Sequence, residues 1–309
     1  MTAPSSYLVH VSKFRSSLSI VGAALIGLSL QTAGTHAASP PLPEVVVSGV
    51  APAGAYGQPA WASHSRTSPT TNGYVLSPFN VYTSVIWEGL APRSAKGMDT
   101  FTEEIEIGLP ARFQIAFEDN IEQYGHYVEN DTTSVEARYA FADWDKIPLN
   151  PTVFGEYKFG TGKELDDPDK VRTPDSFELR LLLSQDFNRD IHWSFNAFCE
   201  QELSQDRERE IGFSQSLVYA PEGSRLQYGM EMQLDSRTDQ DTRAHAQASF
   251  VIGPSLGYQL TSRARIDIAP LFGIGKVSPT VDAFVVVSYQ FGGGSEGSEA
   301  HAPVSTQNR

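Results

Sequence analysis

From about residue 79 to Phe291, apolar and polar side chains alternate one by one through repeated stretches of roughly 10 residues. Period-two alternation sends successive side chains to opposite faces of a strand. In 101–109, Phe101, Ile105, Ile107 and Leu109 share one parity, and Thr102, Glu104 and Glu106 share the other. Glu103 breaks the apolar parity and is expected toward one end of its strand. The same pattern runs through Phe113, Ile115 and Phe117; through Phe177, Leu179, Leu181 and Leu183; and through Ile191, Trp193, Phe195 and Ala197. It returns in Leu226, Tyr228, Met230, Met232 and Leu234. Twelve strands are predicted, at about 79–89, 99–109, 112–121, 131–143, 151–161, 176–187, 191–201, 209–220, 225–235, 245–260, 263–274 and 280–291.

The links between these strands sort by parity. Pro110-Ala111, Asn188-Arg189-Asp190, Pro221 to Ser224 and Thr261-Ser262 are tight, and 144–150 is somewhat longer. The alternate links, 122–130, 162–175, 202–208 and 236–244, are mostly longer and more polar. Short turns at one end and long loops at the other are what a membrane barrel shows. The charged parity carries Glu104, Glu106, Glu118, Glu136, Arg138, Glu156, Lys158, Glu178, Arg180, Glu200, Glu231, Arg265 and Asp267. Twelve strands enclose more space than apolar side chains fill, since about eight already make a packed barrel. Mixed charges suit a wet lumen and are penalised in lipid, by about 2–4 kcal/mol for Arg or Lys at the midplane. The expected fold is therefore all-β: a transmembrane antiparallel up-and-down barrel of about 12 strands over residues 79–291.

The flanks differ in character. Lys13 and Arg15 precede a weakly apolar run from Ser16 to Leu30, and small residues follow to Ala37. This is expected to be a signal peptide, residues 1–37, exporting the chain to a bacterial-type outer membrane. The run is shorter than the roughly 20 residues a transmembrane helix needs. Residues 38–78, beginning with a Pro- and Ala-rich stretch, read as a flexible periplasmic leader or partial plug; residues 292–309 read as a disordered Gly/Ser-rich tail. Glu44-Val45-Val46-Val47 has the form of a TonB-contacting segment, but such receptors use 22 strands, so a plain leader is expected.

Composition removes several alternatives. The mean hydropathy is −0.27 although aromatics make up 11% of the 309 residues, as expected of apolar side chains patterned along strands. A formal charge of −14 excludes a nucleic-acid partner, which needs a basic surface. The single cysteine, Cys199, rules out a disulfide within the chain, and no dense Cys/His spacing implies a metal site or cofactor.

Two segments carry a family resemblance. EIEIGLPARFQIAFEDN, residues 104–120, has a hairpin of the form E-x-E-x-G-L-x-x-R-x-Q, with Glu104, Glu106, Gly108, Leu109, Arg112 and Gln114 at its fixed positions. Residues 252–291 add Gly253, Pro254, Ser255, Leu256, Pro270, Leu271, Phe272, Gly273, Ser278 and Pro279. Together they resemble the phenol meta-pathway degradation (MetA-like) family of outer-membrane transporter β-barrels. The resemblance implies uptake of hydrophobic or aromatic compounds. The last strand, with Val285, Val287, Tyr289 and Phe291 on one parity, resembles the signal by which the barrel-assembly machinery recognises its clients, although here the chain continues past Phe291.

Candidate chemistry concentrates on the charged parity. The acidic cluster with its arginines reads either as a charged constriction or as a ladder of ion pairs filling the lumen, the latter preferred. A Ser–His pair for lipid hydrolysis is conceivable at His192 and Ser194, or His245 and Ser249, but would face the lumen and not the lipid. Trp87, Trp144, Trp193, Tyr139, Tyr157, Tyr219, Tyr228 and Tyr289 read as interfacial girdles against membrane lipid. The expected function is passive passage of a small, hydrophobic or aromatic solute with no cofactor and no catalysis. The alternatives are a non-conducting structural or surface-interaction barrel and, third, a lipid-modifying enzyme.

Overall fold

The structure is a computed structural model, and it describes residues 54–292 apart from Ser65, Glu164, 166–171 and Glu222. The expected signal peptide, the Glu44–Val47 segment and the tail beyond Gly292 lie outside the described residues. Two short strands, β1 (Arg66–Ser68) and β2 (Thr71–Asn72), form a hairpin. Twelve longer strands follow: β3 (Val81–Ala91), β4 (Met98–Leu109), β5 (Phe113–Tyr124), β6 (Tyr127–Ala140), β7 (Thr152–Gly160) and β8 (Ser176–Asp186), then β9 (Ile191–Glu202), β10 (Arg209–Tyr219), β11 (Leu226–Thr238), β12 (Gln247–Gln259), β13 (Ala264–Gly273) and β14 (Val281–Phe291). Each pairs antiparallel with its neighbours in sequence, and β14 pairs with β3 from Val281↔Ala91 to Phe291↔Val81. The ring is closed, so no backbone edge is left unpaired.

The two parities separate as the alternation predicts. Phe113 is 46% exposed on the outer face, Leu181 41% and Met230 50%, whereas Glu106 is fully buried inside. That the buried parity faces the lumen follows from contacts that skip a strand: Arg138 on β6 meets Glu106 on β4 at 2.9 Å, past β5. The outer face of β14 carries Val285, Val287, Tyr289 and Phe291 in one line beside the seam with β3.

Four sequence expectations need correction. Residues 122–130 are not a long loop: β5 and β6 run on to a two-residue turn at Gly125-His126, where Tyr124 faces Tyr127 and Gly125 takes φ +67°. Polar residues on both faces there hid the strand period. The link between β6 and β7, 141–151, is the longest at its end of the barrel, so the sorting of turns and loops is not strict. Glu103 lies mid-strand on the outer face, opposite Asp119. Thr133 and Asn130 donate hydrogen bonds to that aspartate at 2.8 and 2.7 Å, so the charge sits in a local polar stripe. Trp144 is no girdle residue: it is 6% exposed and packs edge-on against Trp61 and Tyr74.

If the outer face meets hydrocarbon, cost must depend on depth and not on exposure. Leu181→Arg, mid-strand on β8, is expected to lower folding stability in lipid vesicles by about 2–4 kcal/mol, and Leu203→Arg, 53% exposed beyond the end of β9, by about 1 kcal/mol or less. Urea titration of the two variants checks the difference, and equal small effects count against a lipid-facing surface.

Candidate functional site

Residues 54–78 lie inside the ring, and their peptide groups are met by polar side chains on the lumenal parity. The Asn72 N–H donates to Asn196 Oδ1 at 2.8 Å, and Asn196 Nδ2 donates back to the Asn72 carbonyl at 2.9 Å. Glu231 accepts from the Thr70 N–H and hydroxyl at 3.0 and 2.6 Å. Ser184 and Ser214 donate to the carbonyls of Gly73 and Thr70, each at 2.9 Å. Arg265 Nη2 donates to the Thr67 carbonyl at 3.1 Å. Inserting a short hairpin into a barrel would strand its peptide groups without such partners, because a buried unpaired amide costs free energy comparable to a lost hydrogen bond. Tyr74, Val75 and Ala62 pack with Ala140 and Trp144 into an apolar cluster at the short-turn end.

The E-x-E-x-G-L-x-x-R-x-Q hairpin acquires a physical meaning from this segment. Glu104 holds Arg66 at 3.3 Å. A Cβ on Gly108 would stand 2.1 Å from the Ser77 carbonyl oxygen, so only glycine lets the incoming chain pass. The Arg112 N–H donates to the Tyr56 hydroxyl at 3.0 Å, and Gln114 Oε1 accepts from the Leu76 N–H at 2.8 Å. Ala111 and Arg112 both take left-handed backbone in the tight turn, and Arg112 is held there by Nε on the Ala140 carbonyl and Nη1 on Asp143.

Charged groups form a second layer on β4 to β10. Arg138, fully buried, contacts Glu136 at 2.5 Å, Glu106 at 2.9 Å and Glu104 at 4.0 Å. Glu104, Glu106 and Glu136 come close enough together to hold a metal ion, and the Arg138 guanidinium is what they hold here. Lys158 reaches Glu200 at 2.8 Å, Glu178 at 3.5 Å and Glu156 at 4.0 Å, and Arg180 pairs with Glu178. Glu118 stands across from Glu104 on the adjacent strand. Of the charges singled out in the sequence, ten therefore fall into one patch, Glu231 stands apart as an anchor for the hairpin, and Arg265 and Asp267 pair with each other at 2.5 Å. Sequence reasoning missed Glu210 and Arg237, which pair at 2.7 Å, and the lumenal rings of Phe154 and Phe198.

No Ser–His pair forms at the expected positions. His192 Nδ1 lies 2.7 Å from Asp186 Oδ1, and its ring stacks on Trp61 at 4.6 Å. Ser194 bonds the hydroxyls of Thr67 and Ser184 at 2.9 and 3.1 Å. Both residues are thereby absorbed into the contact with the inner segment. His245 lies exposed in the link after β11, and Ser249 sits on β12.

Between the hairpin and the long-loop end the lumen holds a cavity of about 310 Å³, lined among others by Glu118, Glu156, Lys158, Arg180, Phe154 and Phe198. A second cavity of about 360 Å³ shares Lys158, Glu200, Glu210 and Arg237 with it and continues toward the loops. The arrangement is a polar vestibule with its floor formed by residues 54–78.

Neither a protein-family profile nor a curated protein sequence matches the chain. Among solved structures it is similar to the NanC porin, at 13% identity and a TM-score of 0.46 over 69% of this chain and 99% of that one. It is also similar to an outer membrane channel from Pseudomonas putida F1, at 8% identity and a TM-score of 0.49 over 71% and 97% of the two chains. A third similar structure is the KdgM porin in complex with disordered oligogalacturonate, at 9% identity and a TM-score of 0.43 over 69% and 98%.

Proposed function

We propose that this chain is an outer-membrane channel for passive passage of a small solute, closed in the state seen here by residues 54–78. The observation that carries the reading is the reversal of faces in a closed ring: apolar side chains outside, charged ones inside around a cavity. A water-soluble barrel has no use for Phe113, Leu181 and Met230 on its outer surface. Lipid supplies the medium that those side chains need, and the lumen supplies water to the charges. The line Val285, Val287, Tyr289 and Phe291 fits recognition by the barrel-assembly machinery, because it borders the seam that closes last in chain order.

The finer reading, a MetA-like transporter for hydrophobic or aromatic solutes, draws its support from the two resembling segments and from Phe154, Phe198 and Phe284 in the cavity wall. A non-conducting barrel is the second reading, favoured by the dense hydrogen bonding of the inner segment. A gate and a permanent filling differ in whether the segment leaves. Thr67 Oγ1 and Ser194 Oγ lie 2.9 Å apart, which makes this pair a place to lock it.

Two outcomes are expected. In a planar bilayer, protein carrying Thr67→Cys, Ser194→Cys and Cys199→Ala should show stable conductance steps under reducing conditions and lose them on oxidation. Absence of steps in both states, and in the unmodified chain, would establish the non-conducting barrel. Acid should loosen the segment. Burial and the positive charge of Arg265 push the His64 imidazole down to about 4, from an ordinary value of 6.5. The docked segment thus binds fewer protons than the released one, so its stabilisation is complete above pH 6.5 and is lost as pH falls toward 4. Amide exchange at Thr70 and Asn72, corrected for intrinsic rates, should show weaker protection at pH 4.5 than at pH 7, and His64→Gln should flatten that dependence. An unaltered profile in His64→Gln contradicts the assignment.

A further inference from the structure

Cross-strand register places one glutamate on each of five consecutive strands in a single row. Glu136 faces Glu156, Glu156 faces Glu178, Glu178 faces Glu200, and Glu200 faces Glu210. The adjacent row alternates cation and ring in the same way, through Arg138, Phe154, Arg180 and Phe198. Arg180 lies 4.8 Å from the centre of the Phe154 ring and 5.9 Å from that of Phe198. Like charges directly opposite on neighbouring strands destabilise a sheet. A row of five therefore needs positive charge from somewhere.

The protein supplies only part of it. Seven glutamates line the 310 Å³ cavity against four cations, Arg66, Lys158, Arg180 and Arg237. Each of those cations already contacts a carboxylate: Arg66 meets Glu104, Lys158 meets Glu200 and Glu178, Arg180 meets Glu178, and Arg237 meets Glu210. Glu156 is left poorly served. It is 6% exposed, its Oε1 is buried with no hydrogen-bond partner, and its Oε2 is 4.0 Å from Lys158 Nζ. A buried carboxylate oxygen with no donor carries a desolvation penalty that a bound donor would remove.

We propose that this cavity binds an organic cation: one or more ammonium groups on an apolar stem, seated on Glu156 and Glu118, with the stem against Phe154, Phe198 and Phe284. An ammonium brings three donors and the missing positive charge. Glu118 on β5 and Glu156 on β7 stand on alternate strands of the same wall, so a short linear polyamine can offer each of them a nitrogen of its own. The apolar stem reconciles the aromatic wall with the acidic one. The inference deepens the channel reading, since the cavity lies above the closed floor, and it rests on that reading only for how the ligand arrives.

Isothermal titration calorimetry of the intact, detergent-folded protein with spermidine tests the site without requiring conductance. Wild-type protein should bind spermidine, with affinity falling at least ~10-fold in Glu118→Gln/Glu156→Gln and falling again in 0.5 M salt, as expected of a charge-assisted site. The double variant removes like-charge repulsion, so its barrel should remain folded, as gel migration before and after heating would show. Glutarate serves as the anionic comparison and Mg²⁺ as the inorganic competitor. No binding by wild type, equal binding by the double variant, or glutarate binding as tight as spermidine overturns the proposal. Complete displacement by equimolar Mg²⁺ also overturns it, because the site would then be one for inorganic cations. A barrel that binds spermidine yet never conducts sinks the channel and leaves the site, whereas a conducting barrel without binding does the reverse.

Discussion

Closing twelve strands into one ring leaves the sheet no open edge but obliges each strand to send one parity of side chains outward and the other into the lumen. That constraint organises the molecule. The outward parity is apolar from Val85 on β3 to Val287 on β14, and the inward parity holds nearly all the charge within the sheet. Glu103 and Asp119 face outward as mid-strand neighbours, with Thr133 and Asn130 supplying Asp119 with donors, and Asp99 and Arg209 face outward at the ends of β4 and β10.

A ring of this size also encloses more volume than its own inward side chains fill. Two devices occupy the space. At the short-turn end the chain folds its preceding segment back into the lumen, where serines, asparagines and Glu231 take up the hairpin's peptide groups. Further along, ion pairs join Arg138 to Glu106 and Lys158 to Glu200 across an intervening strand, and Arg180 to Glu178 along one strand. A buried ion pair often returns little net stability. This layer is therefore better understood as setting the shape and charge of the vestibule than as holding the ring together; the backbone ladders do that.

The strand plan was legible in the sequence because period-two alternation is local. Eleven residues of β14 announce their two faces without reference to any neighbour, and the observed strands begin and end close to where the alternation does. The β5–β6 hairpin was not legible beyond residue 121, because Glu122, Gln123, Glu129 and Asn130 are polar on both faces, as strand ends outside an apolar belt can be. For residues 38–78 the sequence left a leader and a partial plug both open, and the anchoring of the inner segment was illegible for a different reason. Its anchors, Ser184, Ser194, Asn196 and Ser214, are single small polar residues on separate strands, ordinary on any wet face. Register hid the glutamate row. Positions 136, 156, 178, 200 and 210 have no common spacing, and only the pairing of the strands shows that they are neighbours. Trp144 misled because an aromatic residue near a strand end reads as a girdle, whereas here Trp61 and Tyr74 reach it from inside.

The orientation of the two faces toward their media can be measured directly. Nitroxide labels placed singly at Phe113, Leu181, Phe195 and Met230 in vesicle-reconstituted protein should relax strongly with oxygen, which partitions into hydrocarbon, and weakly with a water-soluble nickel chelate. Labels at Glu178 and Gln233 should show the opposite preference. Outer-face labels reached by the nickel chelate as readily as by oxygen would mean that water covers that surface, and the membrane barrel would have to be abandoned.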